Sequence, residues 1–166
     1  MSQLMARMAE MVASRTDGDV LVGLGLGSCI GLALVDGGHR AAALAHIVLP
    51  AASRHGAAAA AKFADTAVPA LVQDMERLGV RRHSLSAVIV GGAQMFSMGG
   101  GMDIGSRNEA AVRDALRSAR IPVIAAQTGG SVGRTIRVRV GDRYVSYKEA
   151  GGPEVNLLAA MEEVAA

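Results

Sequence analysis

Two residues of this 166-residue chain have side chains that together could perform nucleophilic chemistry. Cys29 is the only cysteine of the sequence, and it ends a glycine-rich run that begins at Gly23. His46 follows seventeen residues later, after an apolar stretch and shortly before Pro50. A thiol is a strong nucleophile only as its thiolate, and a neighbouring imidazole is a common base for making it one. The pair therefore indicates a hydrolytic or acyl-transfer site.

The glycine-rich run before Cys29 suits the same chemistry. A backbone without Cβ atoms can turn sharply and aim its N–H groups at an oxyanion. Gly27 and Ser28 directly precede the thiol and are the candidate supports of such a loop, with the Ser28 and Cys29 N–H groups as donors. The alternative is a structural role, because free cysteine is among the most often buried residue types. The combination of glycine loop, thiol and histidine on consecutive elements favours the chemical interpretation.

A β-hairpin is predicted to bring the two side chains together. Residues 30–35 and 41–49 have the composition of apolar strands, and the turn residues Asp36-Gly-Gly38 lie between them. Such a turn between two apolar runs is typical of an antiparallel hairpin. Counting back from the turn puts Cys29 and His46 roughly opposite each other, so their side chains could meet.

The remaining pattern predicts a layered, mixed α/β domain. Strands are predicted over residues 20–24, 85–90 and 121–127, with a second hairpin over 135–140 and 143–148. Helices are predicted over 57–78, from 105 or 106 to 120, and over 153–166. Pro69 should kink or break the first helix, and Gly79 should follow its C-terminus.

The first residues of the chain carry apolar side chains at helical spacing. These are Leu4, Met5, Met8, Met11 and Val12. We therefore expect residues 1–17 to form an amphipathic N-terminal extension, ahead of a single domain over residues 18–166.

Composition narrows the class of protein. The sequence is 51% hydrophobic but only 2% aromatic, so its core must consist of Ala, Val, Leu, Ile and Met. No apolar run approaches the ~20 residues of a membrane-spanning helix, and the first residues do not resemble a secretory signal. With a single cysteine, this predicts a soluble protein of the reducing cytoplasm. Seventeen basic residues against 15 acidic ones, with few aromatic side chains, argue against nucleic-acid binding.

Other chemistries are poorly matched. The run Gly23-x-Gly25-x-Gly27 differs from the dinucleotide-binding fingerprint, which needs G-x-G-x-x-G before a helix. The four histidines show no metal-ligand spacing with one another or with Cys29. Ser28 and Ser97 lack the G-x-S-x-G context of a serine nucleophile. We expect neither a metal nor a cofactor.

Several motifs resemble those of the bacterial chemotaxis CheD family. They are Gly25-Leu-Gly-Ser-Cys29 and Ala45-His46-x-x-Leu-Pro50, followed in the family's order by segments 62–66, 91–96, 104–108 and 128–130. The likeness covers about residues 18–150. It implies a chemoreceptor glutamine deamidase, which converts receptor glutamine side chains to glutamate and releases ammonia. It also implies an α/β/β sandwich like that of deamidating bacterial toxins.

The resemblance implies roles for the site residues. Cys29 corresponds to the nucleophile, and His46 to the general base and acid. Family members commonly have a threonine six residues before the cysteine, where it orients the histidine, and this chain has Gly23 there. A backbone carbonyl near residues 22–24 could replace it, or a side chain such as Thr128, or the enzyme could be slower. Because the substrate is a side chain on a folded helix bundle, we expect Cys29 in an open surface cleft.

The resemblance also implies partners. These are the cytoplasmic helices of methyl-accepting chemoreceptors as substrate, and a CheC-family phosphatase that would meet the region of Met95 and Phe96. Two other functions stay open: a non-enzymatic binding module that regulates a CheC-type phosphatase, and a receptor methylesterase, since a thioester can form from an ester as well as from an amide.

Overall fold

The protein is described by a computed structural model over residues 1–52, 59–96 and 103–160. Within these ranges, two five-stranded sheets stack on each other and two helices cover the outer face of one sheet. The strands are β1 (Gln3–Met5), β2 (Met11–Ser14), β3 (Val20–Leu26), β4 (Ile30–Val35), β5 (Ala42–Ile47), β6 (Ser86–Gly91), β7 (Val123–Thr128), β8 (Arg134–Arg139), β9 (Tyr144–Glu149) and β10 (Glu154–Asn156). The helices are α1 (Ala64–Arg77) and α2 (Ile104–Ser118).

Both sheets are mixed. The first has the strand order β1-β3-β8-β9-β10 and the second β2-β5-β4-β6-β7. The pairs β1–β3 and β6–β7 are parallel and the other pairs are antiparallel. The predicted layered α/β/β architecture is confirmed.

The central hairpin β4–β5 is buried on both faces, which explains why its sequence is a continuous apolar run. Because successive side chains of a strand point to opposite faces, alternate residues enter two different cores. Leu32 and Leu34 pack under α1 and α2, whereas Ala33 and Leu44 face the first sheet. The gap between the two sheets is therefore apolar where the hairpin lies.

Gly31 lets the two sheets approach closely at the start of β4. A Cβ atom on Gly31 would lie 2.8 Å from Cδ1 of Leu26 and 2.9 Å from Cγ2 of Ile136. Both contacts are tighter than real Cβ atoms make, so a larger residue would force Leu26 and Ile136 of the first sheet to shift.

The helix predicted for the first residues is wrong. β1 pairs in parallel with β3, and β2 pairs antiparallel with β5, so the segment contributes an edge strand to each sheet. A turn between Arg7 and Glu10, closed by the Glu10 N–H donating to the Arg7 carbonyl, separates the two strands. Pairing with the open edges of two sheets overrides the local helical spacing.

Most other predicted elements are confirmed, with ends shifted by one or two residues. The helix predicted from residue 57 differs: α1 begins at Ala64, after a short 3₁₀ turn at Ala60–Lys62, and residues 57 and 58 lie outside the described ranges. Pro69 does not break α1, because near the helix start it removes only the bond to the Asp65 carbonyl.

The predicted end of α1 is confirmed, whereas the helix predicted for the last residues of the chain is partly wrong. Gly79 follows the last turn of α1 as predicted, and its N–H donates to the Glu76 carbonyl. The helix predicted over 153–166 is wrong at its start, because Glu154–Asn156 pairs with β9 as β10. Residues 157–160 are helical, and residues 161–166 lie outside the described ranges.

In the part of the chain that the structure describes, neither helix has the length and apolar character needed to cross a bilayer.

Candidate active site

The hairpin register places Cys29 and His46 as diagonal neighbours. Gly31 pairs with His46 and Ile30 with Ile47, so Cys29 precedes the residue opposite His46 by two positions. Cys29 belongs to the core between the two sheets, and His46 shares the face of Leu44 in that core. Diagonal neighbours of a strand pair lie about 7–8 Å apart at Cα, within reach of longer side chains. The two residues therefore share one face of the sheet, although they are not directly opposite.

The expected open cleft around Cys29 is wrong, because both side chains are buried. Cys29 is 7% exposed and His46 is 2% exposed. The loop before the thiol is also covered, since Met95 lies against Gly27, where an added Cβ would be 3.0 Å from Cγ of Met95.

Burial favours the uncharged forms of both groups. It raises the pKa of the Cys29 thiol, and it lowers the pKa of the His46 imidazole. A hydrogen bond to the Ala6 carbonyl and the negative charge of Glu10 act on the His46 pKa in the opposite direction, but burial outweighs them. The resting pair is therefore a neutral thiol and a neutral imidazole.

The imidazole of His46 has one hydrogen-bond partner among the described residues. Its Nδ1 lies 3.1 Å from the carbonyl oxygen of Ala6. Because a carbonyl only accepts, Nδ1 carries the proton and Nε2 carries the lone pair. Nε2 is buried and has no hydrogen-bond partner in the described part of the chain.

Thr128 does not orient His46, so this alternative is wrong. Its hydroxyl donates instead to Oε2 of Glu109 over 2.9 Å. A backbone carbonyl does contact the imidazole, but it comes from Ala6 and not from residues 22–24. At Gly23 itself, a Cβ atom would lie 3.0 Å from Cγ2 of Ile136, so a side chain there would require Ile136 to shift.

The segment that follows β6 holds the backbone around the thiol. The Gly92 N–H donates to the Cys29 carbonyl over 2.9 Å, and the Ala93 N–H donates to the Gly27 carbonyl over the same distance. Gly91 has a φ of +117°, and a Cβ atom there would collide with the Cys29 carbonyl. Glycine at this position is thus required for the close approach.

Asn108 ties the cysteine loop to the histidine strand. The side chain is fully buried, and its Nδ2 donates to the carbonyls of Ser28 and Val48, each over 2.9 Å. Sequence reasoning assigned Asn108 no role. A signal was present, since helical spacing puts Asn108 on the same buried face of α2 as Val112 and Leu116, where an amide needs internal partners.

Arg134 is a second positioning residue that sequence reasoning missed. Its guanidinium is buried, and one nitrogen donates to the Gly129 carbonyl over 2.8 Å and to the Gly91 carbonyl over 3.4 Å. It thereby joins the ends of β6 and β7, next to the loop that holds Cys29.

The surface near the site carries exposed apolar side chains. Met95 is 45% exposed and Phe96 is 80% exposed. Within the described ranges, no three His, Cys, Asp or Glu side chains gather closely enough to hold a metal ion.

Comparison with known proteins identifies the class to which this fold and site belong. The family described as "CheD chemotactic sensory transduction" matches residues 48–149. A Clostridium botulinum (strain Hall) protein named "Probable chemoreceptor glutamine deamidase CheD" is 45% identical over 137 residues, covering 80% of this chain and 85% of that protein. A Clostridium kluyveri protein of the same name is 44% identical over 120 residues, covering 70% and 74%. The chain belongs to the CheD family.

One solved structure has a weak overall likeness to this chain. The Bacillus licheniformis hypothetical protein YfiH covers 73% of this chain and 49% of its own, with a TM-score of 0.46 and 13% sequence identity. This likeness is too distant to bear on the chemistry.

Replacing Asn108 by alanine should destabilise the protein. The change leaves the partly buried Ser28 and Val48 carbonyls without their donor, which costs about 1–3 kcal/mol of unfolding free energy. Urea unfolding measures the loss. The matched control is Gln73→Ala on the exposed face of α1, which should change stability by less than about 0.5 kcal/mol. Equal losses for the two variants would contradict the assigned role of Asn108.

The lowered pKa of His46 should make the protein less stable in mild acid. Above the ordinary histidine pKa of about 6.5, the imidazole is neutral in both folded and unfolded chains. Below it, the unfolded chain binds a proton that the buried imidazole resists, so stability falls with pH. The unfolding free energy of wild type should therefore drop relative to that of His46→Asn between about pH 7.5 and pH 5. A difference between the two proteins that stays constant over this range would refute the shift.

Proposed function

We propose that this protein hydrolyses the side-chain amide of glutamine residues on chemoreceptors, yielding glutamate and ammonia, with Cys29 as nucleophile and His46 as general base and acid. Membership of the CheD family, with relatives named chemoreceptor glutamine deamidase, supports the reaction. The observation that carries the residue roles is the buried Nε2 of His46 on the same sheet face as Cys29. Among the described residues Nε2 has no hydrogen-bond partner, and the Cys29 thiol is not one either, so the thiol and the imidazole must move together for the reaction.

The first step is attack of the thiol on the amide carbon. Since burial favours the neutral pair over a thiolate–imidazolium pair, Nε2 takes the thiol proton as the sulfur attacks. A carbon–sulfur bond forms, and the carbonyl electron pair moves to the oxygen to give a tetrahedral oxyanion. Proton transfer during attack avoids a resting thiolate–imidazolium pair in the apolar gap. The charges of the imidazolium and the oxyanion then arise only when the substrate is bound.

Backbone N–H groups of the cysteine loop are suited to hold this oxyanion. The N–H groups of Ser28 and Cys29 donate no hydrogen bond within the described part of the chain. Asn108 holds the Ser28 carbonyl on the side of α2, and in a trans peptide the next N–H points the opposite way. The Cys29 N–H is thereby turned away from the helix layer. One such donor can contribute about 3 kcal/mol to the transition state.

The second half of the reaction reuses His46. The imidazolium donates its Nε2 proton to the leaving nitrogen, the carbon–nitrogen bond breaks, and ammonia departs to leave a thioester on Cys29. Nε2 then takes a proton from water as the water oxygen attacks the thioester. Return of that proton to the sulfur releases glutamate and restores the thiol.

Substrate access requires a movement near the thiol. Cys29 is buried, and the half-exposed Met95 lies against Gly27 beside it. A receptor glutamine therefore has to displace side chains around this loop before it reaches the sulfur. This requirement favours a receptor glutamine over a small free amide as substrate. The rest of the receptor helix can supply the binding energy that displaces these side chains.

Met95 and Phe96 also favour a protein partner. A phenylalanine that is 80% exposed beside a half-exposed methionine is typical of a contact surface. We assign this pair to binding of a CheC-family phosphatase. Regulation of that phosphatase is the second candidate function, and it would persist in a variant without the thiol.

Cys29→Ala should abolish deamidation of a purified chemoreceptor cytoplasmic fragment, and His46→Ala should reduce it by a factor of about 10² or more, the usual contribution of a general base. The readouts are ammonia release and a mass gain of about one dalton per converted glutamine. His83→Ala is the control, since His83 is exposed and far from the hairpin in sequence.

Three results separate the proposed function from its alternatives. Deamidation by Cys29→Ala at the rate of the wild-type protein would contradict the assignment of Cys29 as the nucleophile. Loss of a methylene group from methylated receptor glutamates would identify a methylesterase. Stimulation of a CheC-type phosphatase by a chain that never converts glutamine would identify the non-enzymatic binding module.

A further inference from the structure

We propose that residues 6–10, here called the N-terminal clamp, form a positioning element for His46, and that the Ala6 carbonyl keeps the imidazole in the tautomer that can act as a base. The catalytic consequence of this inference rests on the proposed function, whereas the assignment of the tautomer does not. It assigns a part in the site to a segment that precedes both the cysteine loop and the histidine strand.

The clamp bonds to His46 at three points. The His46 N–H donates to the Glu10 carbonyl over 2.9 Å, and the Ala9 N–H donates to the His46 carbonyl over 3.0 Å. The third contact joins Nδ1 of the imidazole to the Ala6 carbonyl over 3.1 Å. Backbone and side chain of one residue are thus fixed by a single short segment.

Ala6 is anchored independently of His46. It is fully buried in the core between the sheets, and its N–H donates to the Val22 carbonyl of β3 over 2.8 Å. The clamp therefore crosses from β1 in the first sheet to β2 in the second. Ala6 is bonded to β3 through its N–H while its carbonyl accepts from a side chain on β5, so the position of the carbonyl follows the packing of both sheets.

The clamp also contains a backbone conformation that alanine rarely adopts. Ala9 has a φ of +65°, in the left-handed region where a Cβ atom is disfavoured. Two hydrogen bonds close the turn around it, from the Glu10 N–H to the Arg7 carbonyl and from the Arg7 N–H to Oε1 of Glu10. Strained residues of this kind persist where the surroundings over-determine them, and they cluster at functional sites.

No other described group takes the place of the Ala6 carbonyl. The Thr128 hydroxyl is bound to Glu109, and a side chain at Gly23 would require Ile136 to shift. The Ala6 carbonyl is the acceptor that makes Nδ1 the protonated nitrogen and leaves Nε2 for the thiol proton. A histidine in the other tautomer would present an N–H to the thiol and could not act as its base.

The sharpest test weakens the Ala6 carbonyl without changing any side chain. Replacing Arg7 by its α-hydroxy acid turns the Ala6–Arg7 amide into an ester, whose carbonyl is a poorer acceptor. The same ester removes the Arg7 N–H that donates to Oε1 of Glu10, and Glu10→Ala, which removes that bond but leaves the Ala6 carbonyl an amide, should keep the Nδ1–H tautomer. The matched control places the ester one position later, at Met8. That control weakens the Arg7 carbonyl in the same turn but leaves the Ala6 carbonyl an amide.

The readouts are the ¹⁵N chemical shifts of His46, which report which ring nitrogen is protonated, and kcat and KM for deamidation. The ester at Arg7 should move His46 towards the Nε2–H tautomer and lower kcat by about tenfold with KM unchanged, the usual range for loss of a histidine-orienting partner. The ester at Met8 should shift the tautomer and lower kcat less than the ester at Arg7, because it leaves the Ala6 carbonyl an amide. Identical tautomers and kcat values in the two esters would overturn the inference.

Two ordinary amino-acid substitutions at Ala9 test the same inference if the chain with the ester does not fold. Ala9→Gly removes the disfavoured Cβ and should leave the His46 tautomer unchanged. Ala9→Val puts a β-branched residue at a positive φ and should loosen the clamp, so that the Nε2–H tautomer increases. An unchanged tautomer in Ala9→Val would overturn the inference.

Failure of the clamp and failure of the proposed function give different results. If wild type converts no glutamine, the proposed function fails, yet the ¹⁵N shifts still decide whether Ala6 sets the tautomer. If Cys29→Ala is inactive while the ester at Arg7 keeps full kcat, only the inference about the clamp fails.

Discussion

The close packing of the two sheets at the start of the central hairpin is the constraint on which the site depends. Gly31 allows Leu26 and Ile136 of the first sheet to press against β4, directly across the hairpin from His46. This contact makes the gap apolar, and the apolar gap sets the protonation of the site. Burial raises the pKa of the thiol and lowers that of the imidazole, so the proposed catalytic pair rests uncharged. Chemistry in such a gap favours proton transfer during attack over a stored ion pair.

Uncharged groups hold the buried thiol and imidazole in position. Backbone carbonyls and N–H groups supply most of these contacts. The Ala6 carbonyl holds the imidazole, the Gly92 N–H holds the Cys29 carbonyl, and the Asn108 amide holds the carbonyls on either side of the site. Each contact comes from a different part of the chain, so the site is completed only when the helix layer and both sheets have assembled.

The hairpin could be predicted from the sequence because its determinants are local. Two apolar runs flank Asp36-Gly-Gly38, and their register follows from counting back to the turn. The edge strands of the first residues could not be predicted, since their pairing with β3 and β5 is long-range while their local spacing is helical. The burial of Cys29 and the partner of His46 were missed for the same reason. Cys29 is buried by the packing of the two sheets, and the imidazole contacts Ala6, which is distant in sequence from both candidate residues.

The central claim of this account is that Cys29 becomes covalently linked to the substrate glutamine. The most direct measurement is an acid quench of the full chain reacting with a chemoreceptor fragment, followed by digestion and mass spectrometry. The account predicts a peptide containing Cys29 joined to a receptor peptide through a thioester, which hydroxylamine cleaves. An adduct on another residue, or conversion of glutamine by a chain whose Cys29 is blocked by alkylation, would contradict it.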